Sequence, residues 1–502
     1  MLTARATLDP AFVVGELDRR LFGSFVEHMG RCVYTGVYEP GHPDATPEGF
    51  RRDVLELTRE MGVSVVRYPG GNFVSGYRWE DGVGPVEERP ARLDLAWRSI
   101  ETNAFGLGEF IGWTRAAGVE PMLAVNLGTR GVQAAADLVE YANHPGGTLL
   151  SDRRRKNGAD QPYDVRLWCL GNELDGPWQV GRKTAYEYGR LAAETAKAMR
   201  LVDPRVELVA CGSSSRSMPS FGEWERVVLE QAYEYVDYVS LHAYYEEHDG
   251  DLASFLASAA DMDAFIEEVV ATCDHVKAVK RSDKRLRLSF DEWNVWNQRH
   301  FAGASSLPWQ EAPRLIEDEY SVADAVVVGS FLVTLLRHAD RVGVACQAQL
   351  ANVIAPIRTE PGGPAWRQPT FWPFAQAARL ARGEVLRVEP DAPVCDTKRH
   401  GEVPVVLAVA TRDGATGAVS VFAVNRSVTD PVRLDLDVRA LPALRLAEHS
   451  VLANGDVRAV NTAADPDRVR PRPGTGAELG ARSLSVTLPP VSWNVLHLLP
   501  LA

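Results

Sequence analysis

VRLWCLGNELDGPWQVGRKTAYEYGRLAAETAKAMRLV, residues 165–202, holds one complete strand-to-helix unit, and its reading sets the fold. An apolar run of strand length leads into Gly171-Asn172-Glu173. After a Gly-Pro-Trp turn, residues 182–202 place apolar side chains at helical spacing. The same alternation recurs along the chain. Seven further β-rich runs lie at 20–27, 63–69, 120–126, 206–213, 236–245, 286–292 and 341–349, with amphipathic stretches such as 51–62, 261–280 and 320–340 between them. Near-continuous apolar strands alternating with helices indicate a parallel sheet covered on both faces. Eight units fit a closed (β/α)₈ TIM barrel better than an open doubly wound sheet.

Beyond about residue 385 the texture changes to short strand-like runs between turn residues, among them VPVVLAVATR, GAVSVFAVNRS and SLSVTLPPVSWNVLHLLP. This part reads as a separate all-β sandwich, jelly-roll-like in type, with 465–483 a long loop inside it. The expected division is 1–17 as an N-terminal strand joining the sandwich, 18–384 as the catalytic barrel and 385–502 as the C-terminal sandwich.

Composition bounds the function. The 502 residues carry 54 basic and 67 acidic side chains, a net charge of −13, so nucleic acid and anionic membrane surfaces are repelled overall. No stretch approaches the roughly 18 consecutive apolar residues of a membrane span, and the N-terminus lacks a secretory pattern. The expectation is a cytoplasmic protein. The six cysteines are scattered, without CxxC pairs or histidines at zinc-ligand spacing, so neither a metal site nor a disulfide framework is indicated. Asn425-Arg426-Ser427 fits the glycosylation triplet and is read as chance.

In a (β/α)₈ barrel the site is built at the C-terminal strand ends. Here those ends carry Glu27, Arg67, Asn126, Asn172 with Glu173, Ser213, His242 with Tyr244, Glu292 and Gln349. Two or three polar ends would be ordinary turn chemistry; a full ring suits a ligand with many hydroxyls. Glu173 and Glu292 fall on the fourth and seventh strands, 119 residues apart, about 40 for each of three intervening units. Paired carboxylates across a cleft can cleave glycosides, one as acid/base and one as nucleophile. A bare Asn-Glu pair is more often a solvated turn. Around Glu292, however, LSFDEWNVW sets Asp291 on the opposite strand face and adds Trp293 and Trp296 as platforms for sugar rings. His242 reads equally as a carboxylate-orienting group or a satisfied core histidine. Arg67 either holds Glu292 ionised or fixes the barrel mouth.

RYPGGNFVSGYRWEDGVGP (67–85), WCLGNELDGPWQVGRKTA (168–185), SLHAYY (240–245), LSFDEWNVW (288–296) and AQLANVIAPI (348–357) resemble the α-L-arabinofuranosidases of glycoside hydrolase family 51, and the likeness spans the chain. The resemblance implies a barrel with a C-terminal β-sandwich and a retaining mechanism, with Glu173 as acid/base and Glu292 as nucleophile. It implies sugar-binding roles for Glu27, Asn72, Asn172, Tyr244 and Gln349. Trp97 and Trp296 match positions shaping the pocket and its leaving-group side. It also implies an intracellular hexamer without metal or other cofactor, acting on terminal arabinofuranosyl units of arabinan, arabinoxylan and their oligosaccharides. Another retaining glycosidase on the same barrel, such as a β-xylosidase or endoglucanase, would use the same carboxylates. A non-catalytic carbohydrate-binding protein is a third alternative. A phosphate-handling barrel is disfavoured, since no Gly-rich loop follows the seventh or eighth strand.

Overall fold

The computed structural model describes residues 1–303 and 307–501. Eight strands close one parallel barrel: β1 (Gly23–Phe25), β2 (Val65–Tyr68), β3 (Glu120–Ala124), β4 (Leu167–Leu170), β5 (Glu207–Ala210), β6 (Tyr238–Tyr245), β7 (Arg287–Val295) and β8 (Val342–Ala348). Each pairs with its sequence neighbour, and β8 closes onto β1 through Cys346–Gly23, Gln347–Ser24 and Ala348–Phe25. Every strand overlaps the run that predicted it. The crossover helices are α1 (Arg52–Met61), α2 (Leu107–Ala117), α3 (Val132–Asn143), α4 (Ala185–Val202), α5 (Glu223–Ala232), α6 (Ala259–Lys280), α7 (Val322–Arg337) and α8 (Phe371–Leu380).

Local chemistry sets these bounds. The Thr184 hydroxyl accepts the Glu187 N–H, while the Glu187 carboxylate accepts the Thr184 N–H at 2.9 Å. This reciprocal cap fixes the start of α4, which then buries Tyr188, Ala192, Thr195, Ala196 and Met199 on one face. Only α7 is apolar all round, with every side chain from Val322 to Leu336 buried except Asp324. The β-sandwich supplies the second cover. At Gly329 a Cβ would lie 2.6 Å from Trp493, so glycine lets the indole close on the helix. Trp493 in turn stacks on Phe422 and donates to Gln376 of α8 at 2.9 Å.

The sandwich consists of a seven-stranded and a four-stranded sheet with its own apolar core between them. Leu2–Thr7 pairs in parallel with Val432–Asp437 in the smaller sheet, and Val13–Glu16 forms an edge of the larger one beside Glu384–Leu386. Residues 465–483, expected to be loop, contribute two short edge pairings, Arg472–Pro473 and Glu478–Leu479. Asn425 is fully buried and donates to the carbonyls of Asp430, Leu488 and Pro489, so the triplet offers no glycan acceptor. Among the described residues, no helix is long and apolar enough to cross a membrane.

Candidate active site

At the C-terminal mouth of the barrel the polar strand ends form one hydrogen-bonded network. Beyond β1, Glu27 Oε1 accepts from the Phe73 N–H and from Trp97 Nε1, each at 3.0 Å, and Oε2 accepts from Gln349 Nε2 at 3.3 Å. The loop after β2 comes this close because it is Pro-Gly-Gly. A Cβ on Gly71 would stand 3.1 Å from both Glu27 oxygens and from Glu292 Oε1.

Arg67 of β2 is the hub. Its Nη1 donates to Glu292 Oε1 at 2.6 Å and its Nη2 to Asn172 Oδ1 at 2.7 Å, while the guanidinium lies over the Phe25 ring. Asn172 passes the network on to Asn72 Oδ1 at 3.2 Å. Tyr244 donates to Glu292 Oε2 at 2.7 Å, so both oxygens of Glu292 are held. Glu292 is 5% exposed and Glu173 7%, enough burial to strip most water from the pair.

Glu173 reaches the mouth because the chain turns sharply there: Gly171 and Glu173 both adopt left-handed backbone, with Glu173 at φ 45°. A non-glycine residue in that region stores on the order of 1–3 kcal/mol. The side chain is pinned twice, by His242 Nδ1 at 2.9 Å from Oε1 and by Trp178 Nε1 donating to Oε2 at 2.7 Å. Trp178 is 51% exposed, which puts an aromatic face at the rim beside Glu173.

Four placements differ from expectation. Asp291 does not point away from Glu292. The β7 register shifts between Phe290 and Trp293 against β8, opposite a similar shift near Ser240 and His242 in β6. Such irregularities re-aim side chains, and both acids enter the barrel. Asp291 Oδ1 bonds His242 Nε2 at 2.9 Å, and its Oδ2 lies 3.5 Å from the Cys169 thiol and 3.8 Å from Arg67 Nε. Trp293 is fully buried and packs edge-on against Phe331 of α7, away from the mouth. Trp296 lies edge-on to Tyr244, 5.2 Å between centroids. Asn126 caps a local turn through Thr129 and the Tyr77 carbonyl, and the buried Ser213 joins the network through no hydrogen bond of its hydroxyl.

The electrostatics follow from burial. Desolvation raises the Glu173 pKa, and the Glu292 charge adds to it against the donors His242 and Trp178. Burial also pushes Glu27 up, to about 8, with Glu292 contributing. For His242 burial favours the neutral ring, but Glu292, Asp291 and Glu173 outweigh it and raise the pKa to about 10. Asp291 goes the other way: burial opposes ionisation, yet Arg67 and His242 hold it below the ordinary carboxylate range. Arg67 and His242 thus face Asp291 and Glu292, and Glu173 and Glu27 are the carboxyls that burial biases toward holding a proton.

One oxygen of Glu173, one of Glu292 and a nitrogen of His242 lie within 4.8 Å of one another, the one grouping among the described residues close enough to chelate a metal. Both His242 nitrogens are already committed to carboxylates and Arg67 already neutralises Glu292, so the donor set suits proton handling better than a divalent cation.

Residues 57–269 match the α-L-arabinofuranosidase 1 domain and residues 291–492 the α-L-arabinofuranosidase C-terminal domain. The chain is 63% identical to an intracellular exo-α-(1→5)-L-arabinofuranosidase of Streptomyces lividans, over 99% of this chain and 75% of that one. It is 54% identical to an exo-α-(1→6)-L-arabinofuranosidase of Bifidobacterium longum, over 98% and 97%. A solved family 51 α-L-arabinofuranosidase from Bifidobacterium longum superposes with a TM-score of 0.95 at 47% identity, covering 99% of both chains. The chain therefore belongs to the α-L-arabinofuranosidases of glycoside hydrolase family 51.

Proposed function

We propose that the protein is a retaining, exo-acting α-L-arabinofuranosidase that removes terminal arabinofuranosyl units by double displacement. The observation that carries this is the Glu173–Glu292 pair, whose nearest oxygens lie within 4.8 Å. Retaining glycosidases hold their carboxyls about 5–5.5 Å apart, whereas inverting ones leave about 6.5–9.5 Å for a water.

Glu292, oriented by Arg67 and Tyr244, attacks the anomeric carbon while Glu173 gives its proton to the departing glycosidic oxygen. A glycosyl ester on Glu292 results. Glu173, now a carboxylate, takes a proton from water as that water attacks the same carbon, releasing arabinose with its configuration kept and restoring Glu292. Glu27, Asn72, Asn172, Tyr244 and Gln349 are the groups proposed to bind the sugar hydroxyls. Trp97 orders Glu27, and Trp296 lines the leaving-group side.

Relatives are named for both (1→5) and (1→6) linkages, so the terminal sugar rather than one linkage defines the substrate class, with arabinan and arabinoxylan fragments as its sources. The relatives' names support an intracellular location. A homohexamer follows from the family resemblance, and light scattering at micromolar concentration tests it.

The deciding experiment is proton NMR of the first product from an aryl α-L-arabinofuranoside, run beside aryl β-xylosides and with Glu292→Ala. Retention, arabinofuranoside selectivity and loss of turnover in the variant are expected. The inverted anomer as first product would refute double displacement.

A further inference from the structure

We infer that the polar groove leading from Tyr244 to the C-terminal sandwich is a second saccharide-binding site, holding the neutral oligosaccharide chain on the leaving-group side of the scissile bond. This rests on the glycosidase reading above and extends it to a part of the molecule outside the catalytic network.

The groove holds about 1050 Å³, slightly more than the roughly 300–1,000 Å³ typical of ligand sites. It begins at the mouth. Tyr244, whose hydroxyl bonds Glu292, also lines the groove, and so does Gln298, two residues past Trp296. Its floor is stiff: Arg216 is clamped by Asp261 at 2.8 Å and by Glu268 at 2.6 Å, and Tyr245 donates to Asp261 at 3.2 Å. A wall that is already ordered spares the binding step that cost.

The far wall comes from the other domain. The hairpin Val394–Thr397/Gly401–Pro404 of the C-terminal region reaches the barrel, where the Arg399 N–H donates to Ser254 Oγ at 3.3 Å. That contact sets the hairpin tip against the groove. The side chains of Gln298, Arg399 and His400 line it and make no hydrogen bond to any described residue. Three uncommitted donor groups around one trough match the hydroxyl-rich edge of a sugar chain, and the Phe221 and Tyr244 rings offer apolar surface for sugar faces. Charge argues against an anionic occupant. The carboxylates of Glu246, Asp251, Asp261 and Glu268 outnumber the two arginines, on a chain of net charge −13.

The test compares p-nitrophenyl α-L-arabinofuranoside with linear α-(1→5)-linked arabino-oligosaccharides of two to five units. Wild type is expected to show kcat/KM rising with length. Arg399→Ala/His400→Ala is expected to lose about 25-fold on the pentaose, mainly through KM, from a loss of roughly 5-fold per hydrogen bond. Gln298→Ala should lose about half as much on a logarithmic scale. The aryl substrate should stay within about 2-fold in both. An unchanged length dependence in both variants, or equal losses on every substrate, would overturn the groove assignment. Failure of wild type to turn over any arabinofuranoside would instead remove the glycosidase reading, and the groove's role with it.

Discussion

Asp291→Asn isolates the one acid of the site that touches no substrate. The substitution keeps shape and removes charge beneath His242, whose pKa is lifted from 6.5 to about 10. At 1.36 kcal/mol per unit, the surrounding carboxylates hold the second proton on that ring with roughly 5 kcal/mol net of burial. Asp291 makes one of the two direct bonds, at 2.9 Å, and a charge-assisted hydrogen bond supplies about 2 kcal/mol. Removing it should lower the His242 pKa by about 1.5 units and weaken the charged donor on Glu173 Oε1. About 2 kcal/mol at the transition state is about 30-fold in rate. The loss should appear where a proton must reach the leaving group. Steady-state kcat/KM is therefore measured on two aryl arabinofuranosides, one with a poor and one with a good leaving group. The expected losses are about 30-fold and under about 3-fold. Equal losses on both would show that Asp291 acts through Arg67 and Glu292, or only on folding, and would refute the relay through His242.

The remaining predictions use the same contacts. The stability gap between wild type and Asp291→Asn, read from urea midpoints, should shrink from pH 6 to pH 10. The sign follows from His242, whose raised pKa gives stability fully present below its unfolded value of about 6.5 and lost as pH rises through about 10. Glu173→Ala should cripple poor leaving groups far more than activated ones, and azide should restore turnover of the activated substrate; loss without rescue would count against the acid/base role. Trp178→Phe removes a donor that favours ionised Glu173, so the alkaline limb of the pH–rate profile should move to higher pH; a shift to lower pH would contradict the contact. Gly329→Ala forces a Cβ against Trp493 and should cost about 1–3 kcal/mol, visible as a lower Tm with kcat intact.

Most of the fold was legible because the barrel writes itself as a repeat. Each strand is apolar on both faces and most helices have one apolar stripe, so period and count carried the topology. What escaped was pairing at a distance. The N-terminal stretch was expected to join the sandwich as a strand, but nothing local in it names the partner: Ala4 pairs with Leu434 and Ala6 with Leu436, some 430 residues on. The stretch 320–340 was read as amphipathic, yet α7 is buried nearly all round, because the β-sandwich covers the side that the barrel leaves. The short pairings within 465–483 lie at sheet edges, where two-residue strands leave no periodic signal.

The site divides the same way. Groups that end strands, such as Glu27, Glu173, Glu292 and Gln349, were found because barrel geometry assigns strand ends to the mouth. Asp291 was misplaced because strand alternation, applied without the irregularity in β7, turns one of two adjacent acids outward. The signal that bore on it was chemical. An aspartate turned away from the barrel would enter the apolar layer where Trp293 meets Phe331 of α7, whereas inside it meets His242 and Arg67. Burying an unpaired carboxylate costs several kcal/mol, more than re-aiming one strand residue, so the charge decided the register. The resulting chain from Asp291 through His242 to Glu173 makes the proton on Glu173 a property of three strands at once. For that reason neither half of the Asp-Glu pair in β7 can be assigned its role from β7 alone.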